Sequence, residues 1–187
     1  MKTTRHLLAC SAISLETGTG LEFMLKDPGK AEKLKNPVVT GPVRIGIKWA
    51  GLRDLDLYVI PRPGAKELFY NRTRTPEGSL EKDWSSPEGT MGYETVELTG
   101  SLDLRELGAA INFYRGDKAL GGPRATIRLE AAGHLFEKEI HIPAESGNRG
   151  EDRNAKTSST WTKVDIGTLA LKVPSAKSPA QSTAKMK

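Results

Sequence analysis

The 187-residue sequence contains one cysteine, Cys10, and three histidines. One cysteine cannot form an intrachain disulfide or supply a multi-cysteine zinc site. The histidines do not make a metal triad either, because His134 and His141 are separated by an odd number of positions in one predicted strand and so point to opposite faces. The sequence therefore argues against a metal site built from cysteine or histidine.

The sequence also lacks a run of about 20 apolar residues, the length that a membrane-spanning helix needs. Its net charge of +5 resides in the ends, because residues 43–170 carry eighteen Lys or Arg and nineteen Asp or Glu. Nucleic-acid binding normally requires a concentrated basic face. We therefore predict neither a membrane span nor nucleic-acid binding by the central segment.

Two catalytic motifs are missing as well. No Gly-x-Ser-x-Gly nucleophile elbow occurs in the sequence. The glycines at Gly121 and Gly122 precede Pro123 and are not followed by Lys-Ser or Lys-Thr, so this segment is a turn and not a phosphate-binding loop. These absences leave the carboxylates as the main candidates for catalysis or metal binding.

What the sequence does contain is a series of short segments with alternating polarity. In the first of them Val43, Ile45, Ile47 and Trp49 share one face, which is typical of a half-buried strand. Most of the segments are bounded by Gly or Pro, and almost none is helical. This pattern predicts an all-β fold, an antiparallel β-sandwich or jelly roll of seven or eight strands. The predicted strands are residues 43–49, 53–60, 67–71, 93–99, 109–114, 124–131, 134–142 and 160–166.

The domain boundaries follow from composition. Residues 1–42 form a leader and linker with room for one extra strand, residues 43–170 form the β-sandwich domain, and residues 171–187 form a basic tail. The tail consists mainly of Lys, Ser, Ala and Pro, a composition typical of disorder. Within the linker, residues 30–36 are either one helical turn or a solvated connection, and residues 102–107 are the one stretch of the domain with helical character.

Two connections between neighbouring strands are predicted to be hairpins. Residues 50–52 join the first two strands, and Ala132 and Gly133 join two later ones. The connections at residues 72–92 and 144–159 are much longer. Long connections in β-sandwiches often carry function.

The most informative segment is the second predicted strand, Arg53–Ile60. Successive side chains of a strand point to opposite faces, so Leu55, Leu57 and Val59 form one row while Asp54 and Asp56 share the other. Two carboxylates that lie so close must be solvated, paired with cations or bound to a metal. The strand is therefore predicted to contribute one face to the core and to carry a candidate functional site on the other.

A metal site is one interpretation of these aspartates. Calcium takes six to eight oxygen ligands, often from a short acidic spacing such as Asp54 and Asp56 together with a more distant carboxylate. Asp83 and Glu94 are the candidates for that ligand, and Glu94 shares a strand face with apolar residues that point inward. The full calcium loop of an EF-hand is absent. On this interpretation the four residues form a metal site, with calcium as the cofactor.

A second interpretation needs no metal. Arg53, Arg72, Arg74 or a backbone amide pairs with the inward Glu94, and the two aspartates of the strand are simply solvated. A third interpretation makes the chain an enzyme. Two carboxylates about 5 to 9.5 Å apart can cleave a glycosidic bond, so Asp54 with Asp83 or Glu94 would suit a glycan hydrolase.

Three tryptophans suggest a ligand-binding platform. Trp49 falls in an apolar row and is predicted to lie in the core. Trp84 lies in the long connection 72–92 and is the candidate for an exposed ring that stacks on a ligand such as a glycan.

Seven segments of the chain together resemble the YfaP-like family, an uncharacterised family of bacterial β-sandwich domains. The resemblance covers about residues 43–142, with Gly-Ser in place of the family's Gly-Gly and Gly92-Tyr93-Glu94 in place of Gly-Pro-Glu. The segments are residues 43–49, 54–60, 63–64, 69–71, 78–83, 92–96 and 110–116.

The resemblance implies a non-enzymatic accessory domain that is periplasmic or associated with the cell envelope, with an envelope protein or glycan as its partner. It also places Asp54, Asp56, Asp83 and Glu94 among the recurring positions of the family. Leu7-Leu8-Ala9-Cys10-Ser11 resembles the processing box of bacterial lipoproteins. The apolar stretch before it is too short for a signal, so a lipid anchor at Cys10 is expected if translation starts further upstream.

Overall fold

The computed structural model describes residues 19–50, 53–84, 91–116, 122–144 and 161–172. Within these ranges the chain forms two short helices and eleven strands. The helices are α1 (Thr19–Leu25) and α2 (Ile166–Ala170). The strands are β1 (Val38–Thr40), β2 (Val43–Ala50), β3 (Arg53–Ile60), β4 (Arg74–Thr75), β5 (Gly78–Lys82), β6 (Met91–Leu98), β7 (Ser101–Asp103), β8 (Gly108–Gly116), β9 (Arg124–Ala131), β10 (His134–His141) and β11 (Thr162–Asp165).

The strands form three sheets in which neighbouring strands are antiparallel. The largest has the order β10-β9-β2-β6-β5-β4, the second β11-β8-β3, and the third pairs β1 with β7. The predicted all-β, sandwich-like fold is confirmed. Four strands were not among those predicted. Three of them, β1, β4 and β7, have only two or three residues, too few to show a periodicity in the sequence. The fourth, β5, lies with β4 inside the stretch 72–92, which was wrongly predicted to be one long connection.

The core lies between the six-stranded and the three-stranded sheet. Ile45 and Ile47 from β2 and Leu55 and Leu57 from β3 are completely buried members of one apolar cluster. The alternating rows predicted for these two strands are therefore confirmed as the rows that face the core. Trp49 is also buried there, as predicted.

The predicted hairpin between β2 and β3 is wrong. β2 pairs with β6 and β9, whereas β3 pairs with β8 in the other sheet. β2 ends at Ala50 in one sheet, and β3 begins at Arg53 in the other. Alternation reveals which face of a strand is buried, but it does not specify which strand lies beside it. The hairpin between β9 and β10 is confirmed, with Ala132 and Gly133 both at positive φ as a tight turn requires.

Other local predictions have mixed outcomes. Residues 30–36 are not helical, and residues 102–107 are the end of β7 followed by a turn. The strand predicted at residues 67–71 is reduced to isolated bridges, of which Leu68 makes one with Val59 on β3. Cys10, most of the connection 144–159 and the tail beyond residue 172 lie outside the described residues.

The part of the chain that the structure describes has no helix with the length and apolar character needed to cross a membrane.

We expect Leu129→Ala on β9 to lower the free energy of unfolding by about 2 to 5 kcal/mol, because it leaves a cavity in a fully buried position. Urea denaturation measures this change. Leu25→Ala is the matched control, since the Leu25 side chain is 64% exposed and its loss should cost less than about 0.5 kcal/mol. Equal losses in the two variants would contradict the position of the core.

Candidate metal centre

Strand β3 carries Asp54 and Asp56 on the face that points away from the main core. This face is covered, because Tyr58 in the same row stacks on Phe69 at 4.5 Å and meets Trp161 edge to face at 4.2 Å. The two aspartates are only 4% and 6% exposed. The interpretation that they are simply solvated is therefore wrong, since the sequence pattern showed that they share a face but not that other segments cover it.

Glu94 on β6 points inward and is completely buried, as its position in the strand predicted. Its Oε2 accepts the backbone N–H of Leu57 at 2.7 Å, and its Oε1 accepts the backbone N–H of Trp84 at 3.3 Å. The Leu57 amide lies on the edge of β3 that does not pair with β8. Burial raises the pKa of Glu94 well above its ordinary value, and the nearby charge of Asp56 raises it further.

Three carboxylates converge at this edge of β3. Oxygen atoms of Asp56, Asp83 and Glu94 all lie within 4.8 Å of one another. Asp83 follows the end of β5 and is exposed, whereas the other two are buried. Asp54 lies close enough that its charge raises the pKa of Asp56. The structure thus brings together all four acids that were predicted from the sequence, three of them in a tight group.

Burial dominates the electrostatics of the two aspartates on β3. It raises the pKa of Asp54 to about 6, a rise that the charge of Arg115 opposes and the charge of Asp83 increases. It raises the pKa of Asp56 to about 7, although a hydrogen bond from Asn112 lowers this value. A cation bound here, in addition to the charge of Arg115, would favour the ionised form of every carboxylate in the group.

Asn112 is a site residue that sequence reasoning missed. It lies opposite Asp56 on β8, is buried, and donates a 2.8 Å hydrogen bond from Nδ2 to Asp56 Oδ2. Its Oδ1 and the Oδ1 of Asp54 are buried atoms with no hydrogen-bond partner among the described residues. A buried oxygen without a donor is costly. The one signal in the sequence was a polar residue in the middle of an otherwise apolar strand.

The second interpretation proposed that an arginine or a backbone amide pairs with Glu94. Only the backbone amide is confirmed. Arg72 pairs with Glu67 at 3.2 Å, and the carbonyl of Arg53 accepts the indole N–H of Trp49. Arg74 is exposed on β4 at the far edge of the six-stranded sheet. The partners of the buried glutamate are two backbone amides and the side chain of Asp83, and not these arginines.

Trp84 lies beside the acids and is not a freely exposed ring. Its side chain is half-buried, its ring centroid lies 5.5 Å from that of Tyr93, and the Lys82 Nζ lies 4.2 Å from the Trp84 centroid. A cation over the ring occupies part of the surface that a stacking ligand would use. In this conformation the ring packs within the protein.

Comparisons of the chain with protein-family models, with curated proteins and with solved structures give no match. The YfaP-like resemblance therefore stays a prediction.

We expect the metal-free protein to lose stability as the pH rises through the raised pKa values. Asp54 and Asp56 have an ordinary pKa of 3.8 and folded values of about 6 and 7. The folded state therefore binds more protons than the unfolded state between about pH 4 and pH 7, so stability is greatest at the acidic end of this window. Thermal unfolding in chelator at pH 5 and pH 8 measures the loss.

Asp56→Asn is the comparison for this pH dependence. An asparagine still accepts the bond from Asn112 but cannot titrate, so the variant should lose less stability than the wild type between pH 5 and pH 8. The same loss in both proteins would show that Asp56 does not titrate with a raised pKa.

Proposed function

We propose that this chain is a non-catalytic β-sandwich accessory domain that binds a divalent cation, with calcium as the best fit. The observation that carries the proposal is the convergence of Asp56, Asp83 and Glu94 within 4.8 Å, two of them buried. The YfaP-like resemblance adds that such a domain works in the bacterial cell envelope beside a protein or glycan partner.

The buried oxygens support a cation better than they support a set of carboxylates alone. Acids held this close raise one another's pKa, as the charge of Asp54 does for Asp56 and the charge of Asp56 does for Glu94, and burial weakens the screening that water would provide. The unpartnered Oδ1 atoms of Asp54 and Asn112 add two further oxygens without donors. A cation in the group would favour the ionised form of its carboxylates, which burial and the neighbouring charges oppose.

The donor set and its size favour calcium among the common divalent ions. Every candidate ligand is an oxygen, whereas structural zinc sites usually include nitrogen or sulfur. Calcium lies 2.3 to 2.6 Å from its ligands, so two oxygens on opposite sides of it are about 4.6 to 5.2 Å apart. The separation of up to 4.8 Å found here fits that span. Magnesium requires near-ideal octahedral geometry and usually keeps several waters, so a group of three protein carboxylates suits calcium better.

Burial also favours an ion-holding role over the glycan hydrolase suggested as an alternative by the sequence. A general acid or base must lie within hydrogen-bond reach of the bond that reacts. Glu94 is completely buried with both oxygens bonded to backbone amides, and Asp54, the other acid of the suggested pair, is 4% exposed. Such carboxylates are well placed to fix β3 and the segment at Trp84, and poorly placed to reach a polysaccharide.

We expect calcium to raise the thermal midpoint, because a ligand that binds only the folded state stabilises it by mass action. Calcium at about 100 times its dissociation constant contributes about 2.7 kcal/mol, which is about 5 to 10 °C for a domain of this size. Differential scanning fluorimetry with calcium and with chelator measures the shift, and titration calorimetry measures the binding itself.

Asp83→Asn should abolish most of the shift without harming the fold, because Asp83 is exposed and belongs to the converging group. Glu106→Gln is the matched control, since Glu106 is an exposed acid on the turn after β7 and should leave the shift intact. An unchanged midpoint in calcium, together with no calcium by elemental analysis, would overturn the proposed function.

A further inference from the structure

Helix α1 lies on the outer face of the six-stranded sheet, opposite to the core. Phe23 and Met24 are buried there in a cluster with Tyr93 and Leu135. Gly46 on β2 makes this approach possible, because a Cβ at Gly46 would lie 1.9 Å from the Met24 Cε. The sequence analysis assigned these residues to the leader and linker. In the structure they are packed against the outer face of the six-stranded sheet.

The carboxyl end of α1 is held by basic side chains of the sheet. Arg128, which is 3% exposed, donates from Nη1 to the carbonyls of Phe23 and Lys26 at 2.7 Å each, and Glu137 pairs with the same guanidinium at 2.8 Å. Lys48 donates to the carbonyl of Met24 at 3.3 Å. Positive charges at this end of a helix are favourable because the last carbonyls carry partial negative charge.

The amino end of α1 is held by Glu81 on β5. Oε1 of Glu81 accepts the backbone N–H of Gly20 at 2.8 Å, and Oε2 accepts the hydroxyl of Thr95 at 3.2 Å. Glu81 lies at a register shift between Leu80 and Lys82, where the pairing of β5 with β6 is irregular. The position of this carboxylate therefore depends on how the end of β5 is fixed.

The end of β5 is also part of the candidate metal centre. Asp83 contributes to the converging carboxylates, and the amide of Trp84 donates to Glu94. The ring of Trp84 packs against the same apolar cluster that holds α1, next to Tyr93, and Lys82 Nζ lies over both rings at 4.2 and 5.2 Å. Within four consecutive residues the chain thus touches α1 and the acids.

We propose that cation binding at the acidic group controls the docking of α1 on the sheet, an inference that rests on the cation site proposed above. A cation that draws in Asp83 fixes the segment from Glu81 to Trp84, and this segment presents Glu81 to the amino end of α1 and the Trp84 ring to its apolar side. Without the cation Asp83 is held only by its hydrogen bond with Glu94, so the segment from Glu81 to Trp84 is fixed less firmly. α1 then keeps the contacts of its carboxyl end with Arg128 and Lys48 but is supported less well at its amino end and on its apolar side. In this proposal α1 is a strap, meaning a segment that is docked more firmly on the sheet when the cation is bound than when it is not.

Coupling between two sites is reciprocal when it is a difference in binding free energy. If the cation favours docked α1, then undocking α1 must weaken the affinity for the cation by the same factor. Phe23 belongs to the α1 cluster and is absent from the converging acids, so its substitution tests this direction without touching a ligand.

Hydrogen exchange of the amides of α1 in the full-length chain tests the forward direction. With calcium at about 100 times its dissociation constant, we expect exchange of residues 21–26 to be about tenfold slower than in chelator. In Glu81→Ala this ratio should fall toward one while titration calorimetry still detects calcium binding. In the control Glu106→Gln the ratio should match the wild type.

Calcium titration of Phe23→Ser tests the reverse direction, and we expect its affinity to be about fivefold or more below that of the wild type. If the wild type binds calcium but α1 exchanges equally fast with and without it, the strap is overturned and the cation site stands. An unchanged affinity in Phe23→Ser also overturns the strap. If the wild type binds no calcium in the titration, the proposed cation site is overturned, and the strap with it.

Discussion

The buried carboxylate of Glu94 is the constraint on which this end of the molecule depends. It accepts backbone amides from β3 and from the segment after β5, so one side chain ties the free edge of the three-stranded sheet to the six-stranded sheet. A buried carboxylate needs such donors, because ionising it away from water is otherwise prohibitive. Everything else in the acidic group is arranged around this tie.

The same tie explains why the acidic group is useful to the fold and also costly for it. Asp56 and Asp83 lie beside Glu94, and their charges raise its pKa, so the acids that meet at this tie disfavour one another's ionisation. In the proposal made above, a cation at this point would favour the ionised form of these acids and hold them together. The strength of the join between the two sheets and the position of α1 would then respond to a single ion.

Much of the fold was predictable because the alternation of apolar and polar residues in a strand shows which of its faces is buried. Ile45 and Leu57 were assigned correctly for that reason, and Glu94 was correctly expected to point inward because it has the parity of its apolar neighbours. The pairing of β2 and the burial of Asp54 were not predictable in the same way. Both depend on segments distant in the chain, whose positions no local period encodes.

The sequence by itself determined the all-β class and the core rows, and it singled out the acids of which Asp56, Asp83 and Glu94 converge. Only the tertiary structure decided that the acids are buried, that Asn112 joins them and that α1 covers the outer face of the sheet. The physical reason is that side-chain direction is a local property of a strand, whereas burial and charge proximity are set by whichever segments fold over it.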